Sequence, residues 1–232
     1  MKVRICLGVM LLAILMASSV AWADYVDPTV STTSNVIGLT ATDWSDTLLI
    51  PKFNSNLGTL TKVELTLYGS SAGTQNFENL GTSEGQWDIE QYPLIWLYKP
   101  DTSAWFSVAP TYTAHYSLPA YDGITDLAGT DDSGTISWGT QTANATQSLT
   151  TSLDAWQSAG GVGNVSLNVT ATGKLSISGG GSLNNQILTK GGAYADVTYY
   201  YDETGVPEPG AMALGALCLV GLGLWRKRRS SK

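Results

Sequence analysis

The stretch Lys62-Val63-Glu64-Leu65-Thr66-Leu67-Tyr68 alternates polar and apolar side chains without a break. A period of two places Val63, Leu65 and Leu67 on one side of an extended chain and Lys62, Glu64, Thr66 and Tyr68 on the other. That is the signature of a strand with one face in a core and one in water. Outward from this stretch the pattern recurs. Val165, Leu167 and Val169 alternate with Asn164, Ser166, Asn168 and Thr170, while Ala193, Ala195, Val197, Tyr199 and Tyr201 share one face opposite Tyr194, Asp196, Thr198 and Tyr200. Further strands are expected over residues 47–50, 94–98, 105–108, 112–116, 135–138 and 174–178, punctuated by the Gly, Asn, Ser and Asp clusters that hairpins require. Only Leu149, Leu153 and Trp156 fall at helical spacing, which predicts one short helix or a structured loop. The expected fold is all-β, an antiparallel two-sheet sandwich or jelly roll.

Both ends of the chain depart from this pattern. At the front, Lys2 and Arg4 precede an apolar run, and Ala21-Trp22-Ala23 presents small residues at the two positions a signal peptidase reads, so residues 1–23 read as a signal helix with the mature chain starting at Asp24. At the back, Val206-Pro207-Glu208-Pro209 precedes an uncharged apolar run over residues 210–225, followed by Arg226-Lys227-Arg228-Arg229. As a helix those 16 residues span about 24 Å, somewhat short of a ~30 Å hydrocarbon core, so they cross as a transmembrane helix only with local thinning or snorkelling flanks. The basic cluster would hold its end in the cytoplasm, placing Glu208 and all that precedes it outside. Pro207 and Pro209 fix their own backbone angles and bias their predecessors toward extended structure, leaving an accessible strip beside the bilayer.

The order Pro-Glu-Pro, apolar helix, Arg-rich end resembles the PEP-CTERM sorting signal of Gram-negative bacteria. The resemblance implies recognition by an exosortase, a membrane-embedded cysteine transpeptidase-like enzyme that removes the helix near the Pro-Glu-Pro. The alternative is an ordinary C-terminal anchor that is never cut. On this reading the chain divides into a signal peptide (1–23), a β-sandwich body (24–205) and a sorting signal (206–232).

The body contains five lysines and no arginine against 18 of the chain's 19 acidic residues, a net charge of −13. Nucleic acid is excluded as a partner, because neutralising phosphates needs the opposite balance. Neither cysteine lies in the body: Cys6 belongs to the signal segment and Cys218 to the tail helix. Disulfides, metal-thiolate sites and cysteine nucleophiles are thereby excluded.

Within the body, Leu48-Leu49-Ile50-Pro51-Lys52-Phe53-Asn54, then Leu57-Gly58-Thr59-Leu60 and the alternating 63–67 strand, resembles the opening of the choice-of-anchor E domain. Tyr121-Asp122-Gly123-Ile124-Thr125-Asp126-Leu127-Ala128-Gly129 and the tyrosine-rich terminal strand are also similar to features of that family, with Asn54 where the family often has an acidic residue. The resemblance implies an exported, anchored domain without an assigned reaction.

Asp122, Asp126, Asp131 and Asp132 crowd a Gly/Thr-rich loop whose oxygens could hold Ca²⁺, the one cofactor the sequence raises, although the spacing matches neither an EF-hand nor an RTX repeat. The plainer reading is an acidic turn that caps strands. Asp88 and Glu90 would share a strand face and form a carboxylate pair, the minimum for glycoside hydrolysis. His115 has no motif partner and reads as a surface or satisfied strand histidine. Trp44, Trp87, Trp96, Trp105, Trp138 and Trp156 are expected mainly in the core or at its edge, though an exposed row of rings could stack on sugars. Three Asn-x-Ser/Thr sequons, at Asn144, Asn164 and Asn168, follow from strand composition and are assigned no glycan. No catalytic motif is present, so the expectation is a non-enzymatic structural or adhesive protein of the cell surface or extracellular matrix. Signal peptidase and exosortase are its processing partners, the inner membrane its station before processing, and extracellular polysaccharide its candidate ligand. The rivals are a carbohydrate-binding module recognising exopolysaccharide and a glycoside hydrolase.

Overall fold

The chain divides into two units, Thr29–Asp202 and a second made of Met1–Pro28 with Glu203–Lys232. A computed structural model describes residues 28–203. The signal segment with Ala21, Ala23 and Asp24, the Pro-Glu-Pro motif, the tail helix and its basic cluster therefore lie outside the described residues. Among the described residues no helix is long and apolar enough to cross a membrane.

In chain order the strands are β1 (Thr29–Thr33), β2 (Ile37–Ala41), β3 (Trp44–Pro51), β4 (Phe53–Asn54), β5 (Gly58–Asn79), β6 (Gly85–Tyr98), β7 (Ala104–Val108), β8 (Tyr112–Leu118), β9 (Ile136–Leu149), β10 (Gln157–Ser158), β11 (Asn164–Gly179) and β12 (Leu183–Glu203). Strands hold 69% of the described residues and helical turns 4%, so this part of the chain is nearly all β. One five-stranded sheet has the order β1-β12-β5-β9, with β2 also on β12. The other has the order β3-β11-β6-β7, with β8 also on β6. Along β12 and β5, Lys62 sits over Tyr200 and Tyr68 stacks on Tyr194, so the two central strands run in opposite directions. The sole parallel pair among the described residues is the two-residue β4–β10 contact.

The two sheets bury their inner faces in one cluster. Leu65 and Leu67 of β5 and Val197 and Tyr199 of β12 join Leu48 and Ile50 of β3, Ile95 and Leu97 of β6, and Leu167 and Val169 of β11. Each fully buried leucine contributes about 2–3 kcal/mol by removing apolar surface from water. Trp156 seals this core: it is 1% exposed and meets Trp105 edge-on at 6.1 Å. The residues at helical spacing resolve into a 3-10 turn over Leu153–Trp156, while Leu149 ends β9.

Pro93 sits inside β6, an unusual place for a residue without an N–H. The pairing partners explain it. β8 pairs with β6 from Gly85 to Gln91 and β7 pairs with it from Ile95 onward, so Pro93 occupies the gap between two partners on that edge. Farther along β5 and β6 lies a second, smaller cluster of Phe77, Trp87, Ile89 and Leu118. Between the clusters, the buried Gln91 amide donates to the Gln75 side-chain oxygen, and the Gln75 amide donates to the Tyr116 hydroxyl. Burial, reinforced by Tyr112, pushes the Tyr116 phenol up to about 12.

Candidate functional site

Because β6 is flanked by β11 on one side and by β7 and β8 on the other, its outward side chains form the midline of the second sheet's outer face. Alternation along the strand turns Asp88, Glu90, Tyr92, Leu94, Trp96 and Tyr98 outward while Trp87, Ile89, Gln91, Ile95 and Leu97 are buried. The register sets Lys174 beside Tyr92, Thr172 beside Leu94 and Thr170 beside Trp96, with Ser107 of β7 on the far side of Trp96. The result is a half-buried aromatic stripe bordered by hydroxyls. From Tyr92 to Tyr98 it runs about 20 Å at the usual strand rise.

On the first sheet the outward rings are already engaged. Tyr68 and Tyr194 stack at 4.7 Å and 7°, and the Lys62 ammonium lies 3.6 Å from the Tyr200 ring centroid. Among the described residues no ring stacks on Tyr92, Trp96 or Tyr98.

At the other end of the stripe the expected carboxylate pair is present. Asp88 and Glu90 share the face with Ser178 and Ser176 of β11 and with His115 and Thr113 of β8. His115 Nδ1 is 2.8 Å from Asp88 Oδ1, with the two side chains 57% and 75% exposed. Asp88 lies between Ser178 and His115, so no imidazole can take a proton from that serine, and the row is not a nucleophilic triad. Its residues border a shallow surface depression of about 400 Å³. A pair this open does not exclude water from a bound glycosidic bond.

The acidic loop, residues 119–135, is held by a group that the sequence reading did not single out. Glu78 is fully buried near the end of β5. One carboxylate oxygen accepts the Asp126 backbone N–H at 3.0 Å, and the other accepts the Asn184 amide at 3.0 Å. These bonds, the Asn184 amide foremost and the Asp126 and Leu127 backbone groups after it, hold the carboxyl below the usual glutamate range against the opposing effect of burial. Asn76 and Asn79 add to the clasp: the Asn76 amide donates to Leu127 O, and the Asn79 backbone N–H donates to Asp131 O. The sequence carried one signal of this, a run of polar residues (Gln75, Asn76, Glu78, Asn79) where a half-exposed strand would otherwise alternate.

The four loop aspartates do not converge on one point. Asp126 Oδ1 accepts the Ala128 N–H and its side chain faces solvent, while Asp132 bridges to Glu78 through its backbone. Asp122 and Asp131 come together near Gly129. Among the described residues no group of three or more carboxylate, histidine or cysteine side chains gathers as a metal site.

A family model described as the PEP-CTERM protein-sorting motif matches residues 205–229. The motif implies export, exosortase processing and a cell-surface or extracellular fate. The body's resemblance to the choice-of-anchor E domain receives no support from any homologue. Among curated proteins no match to the chain is found. Among solved structures, dimeric latent PorU from Porphyromonas gingivalis aligns at 10% identity and a TM-score of 0.31, over 78% of this chain and 13% of its own. The tobacco streak virus coat protein aligns at 10% identity and 0.24, over 81% and 95%. An infectious bursal disease virus structure, Gt strain, aligns at 12% identity and 0.17, over 85% and 49%. At such scores these likenesses carry no function to this chain.

Proposed function

We propose that the body is a non-enzymatic adhesive domain of the cell surface or extracellular matrix, released or re-anchored after exosortase cleavage, that holds extracellular polysaccharide on the outer face of its second sheet. The observation that carries this reading is the stripe of Tyr92, Leu94, Trp96 and Tyr98 along a central strand, bordered by the hydroxyls of Thr170, Thr172 and Ser107. Rings present apolar faces to the C–H faces of sugars, and the flanking hydroxyls meet sugar hydroxyls. An open face suits a polymer that passes across the protein, whereas a hydrolase needs an enclosed site. The body's charge of −13 selects against anionic glycans and favours neutral or amine-bearing ones.

The direct test is retention of the exported protein on neutral exopolysaccharide, wild type against Trp96→Ala. The substitution should weaken retention about tenfold, the equivalent of ~1.4 kcal/mol. Equal retention of both proteins, or no retention of the wild type on any such polymer, rules the adhesive face out. Processing is tested separately by mature mass and location with and without exosortase; identical mass and membrane association in both would mean the tail is an uncut anchor.

A further inference from the structure

We infer that the loop between β8 and β9 is a calcium site built on Asp122 and Asp131. Each of these carboxylates uses one oxygen to shape the loop and keeps the other close to Gly129. Asp122 Oδ1 accepts the Ile124 N–H at 2.8 Å, and Asp131 Oδ2 accepts the Asp122 N–H at 3.2 Å. The remaining pair, Asp122 Oδ2 and Asp131 Oδ1, lie 2.7 and 3.4 Å from the point that a Cβ on residue 129 would occupy. Residue 129 is glycine, with φ +99°, so no side chain there crowds the two oxygens.

The burial of Asp131 makes this more than an acidic turn. Its side chain is inaccessible to solvent, and Asp131 Oδ1 has no hydrogen-bond partner among the described residues. Two carboxylates brought together, one of them buried with an unsatisfied oxygen, are held at a cost unless a cation or a proton joins them. No lysine or arginine occurs between Lys99 and Lys174, and the ion pairs among the described residues involve neither aspartate. An all-oxygen donor set of two carboxylates, completed by loop carbonyls and water, is the chemistry of a hard cation. Ca²⁺, which tolerates irregular geometry, fits better than Mg²⁺, which demands an octahedron. Asp126 and Asp132, which the sequence grouped with them, stand outside the site. With only two carboxylates, its affinity belongs to the weak class of extracellular modules, about 0.1–1 mM. The site is independent of the adhesive face.

The experiment uses the full chain in detergent, titrated with CaCl₂ and, separately, with Tb³⁺, whose emission is sensitised by a nearby aromatic such as Tyr121. Calcium at about 10 mM should raise Tm by roughly 3–8 °C, with Mg²⁺ giving much less. Terbium emission should appear on the wild type, fall at least about tenfold in Asp122→Asn and in Asp131→Asn, and persist in Asp126→Asn and Asp132→Asn. Asp122 is exposed, so Asp122→Asn keeps the test decisive if Asp131→Asn fails to fold. Three results overturn the inference: no response to calcium, as two aspartates sharing a proton would give; a rise that Mg²⁺ reproduces in full, as screening of the net charge would give; or terbium emission unchanged in Asp122→Asn.

Discussion

Glu78 supplies the sharpest test of how the fold is held. Its carboxylate accepts the Asp126 backbone N–H and the Asn184 amide, each at 3.0 Å, from a fully buried position. Hydrogen bonds to a charged group contribute about 1.5–3 kcal/mol each, and a buried donor left without its acceptor costs a further fraction of that. Glu78→Ala should therefore cost about 3–5 kcal/mol, a large share of the ~5–15 kcal/mol that a domain has in total. Glu78→Gln keeps the shape and both contacts once the Asn184 amide turns over, and should cost only about 1–2 kcal/mol, the charge-dependent part. That part has a defined pH signature. A carboxyl whose folded-state pKa is lowered contributes stability that is fully present above the ordinary glutamate value of about 4.3 and is lost as pH falls through the folded value. The gap between wild type and Glu78→Gln should hold at about pH 7, shrink as the pH falls below about 4.3, and close once the pH is below the folded value. Urea denaturation followed by tryptophan fluorescence measures both variants. A Glu78→Gln protein as stable as wild type at neutral pH, or a gap that acid leaves untouched, would refute the reasoning.

Two further expectations concern the sheets and the tyrosines. A Cβ on Gly73, at the β5–β9 bulge, would lie 2.0 Å from Leu188 O and 2.4 Å from the Trp138 ring, so Gly73→Ala should lower Tm by more than about 5 °C. Gly38 has nothing within 4 Å, so Gly38→Ala in the same melting assay should be neutral or slightly stabilising. Tyr116, raised to about 12 by burial, and Tyr199, raised further by burial, should withhold their phenolate absorbance until the fold gives way. Raised phenol pKa values contribute stability that is complete below the ordinary value of about 10 and is lost above about 12, so alkaline unfolding and the delayed absorbance should coincide. Ordinary ionisation of every tyrosine in a still-folded protein contradicts this.

Alternation made the cores of β5, β11 and β12 legible, because one face of each is buried and the other wet. β1 and β2 were not, since Thr29–Thr33 and Ile37–Ala41 bury almost nothing and are strands by pairing with β12 alone. The far end of β5 was hidden for the opposite reason. There the acidic loop covers the outward face, and polar side chains buried on both sides leave no hydrophobic period to read. Trp96 illustrates a third limit: β6 carries apolar residues on both faces near Tyr98, and nothing in the string says which row the partner sheet will cover. The candidate calcium loop was visible as four aspartates, but burial and orientation, which sort Asp122 and Asp131 from Asp126 and Asp132, are properties of folded packing.

β12 is the strand that leads toward the sorting signal, and within its sheet it lies between β1 and β5. Its hydrogen bonds stand across the strand axis, so tension drawn along the strand from Glu203 loads many of them in shear at once rather than opening them one by one. Antiparallel β1, whose Thr29 pairs with Tyr200, locks the same end from the other side. A domain tethered through this strand would resist being dragged by flow, because its point of attachment is also among its most heavily cross-braced elements.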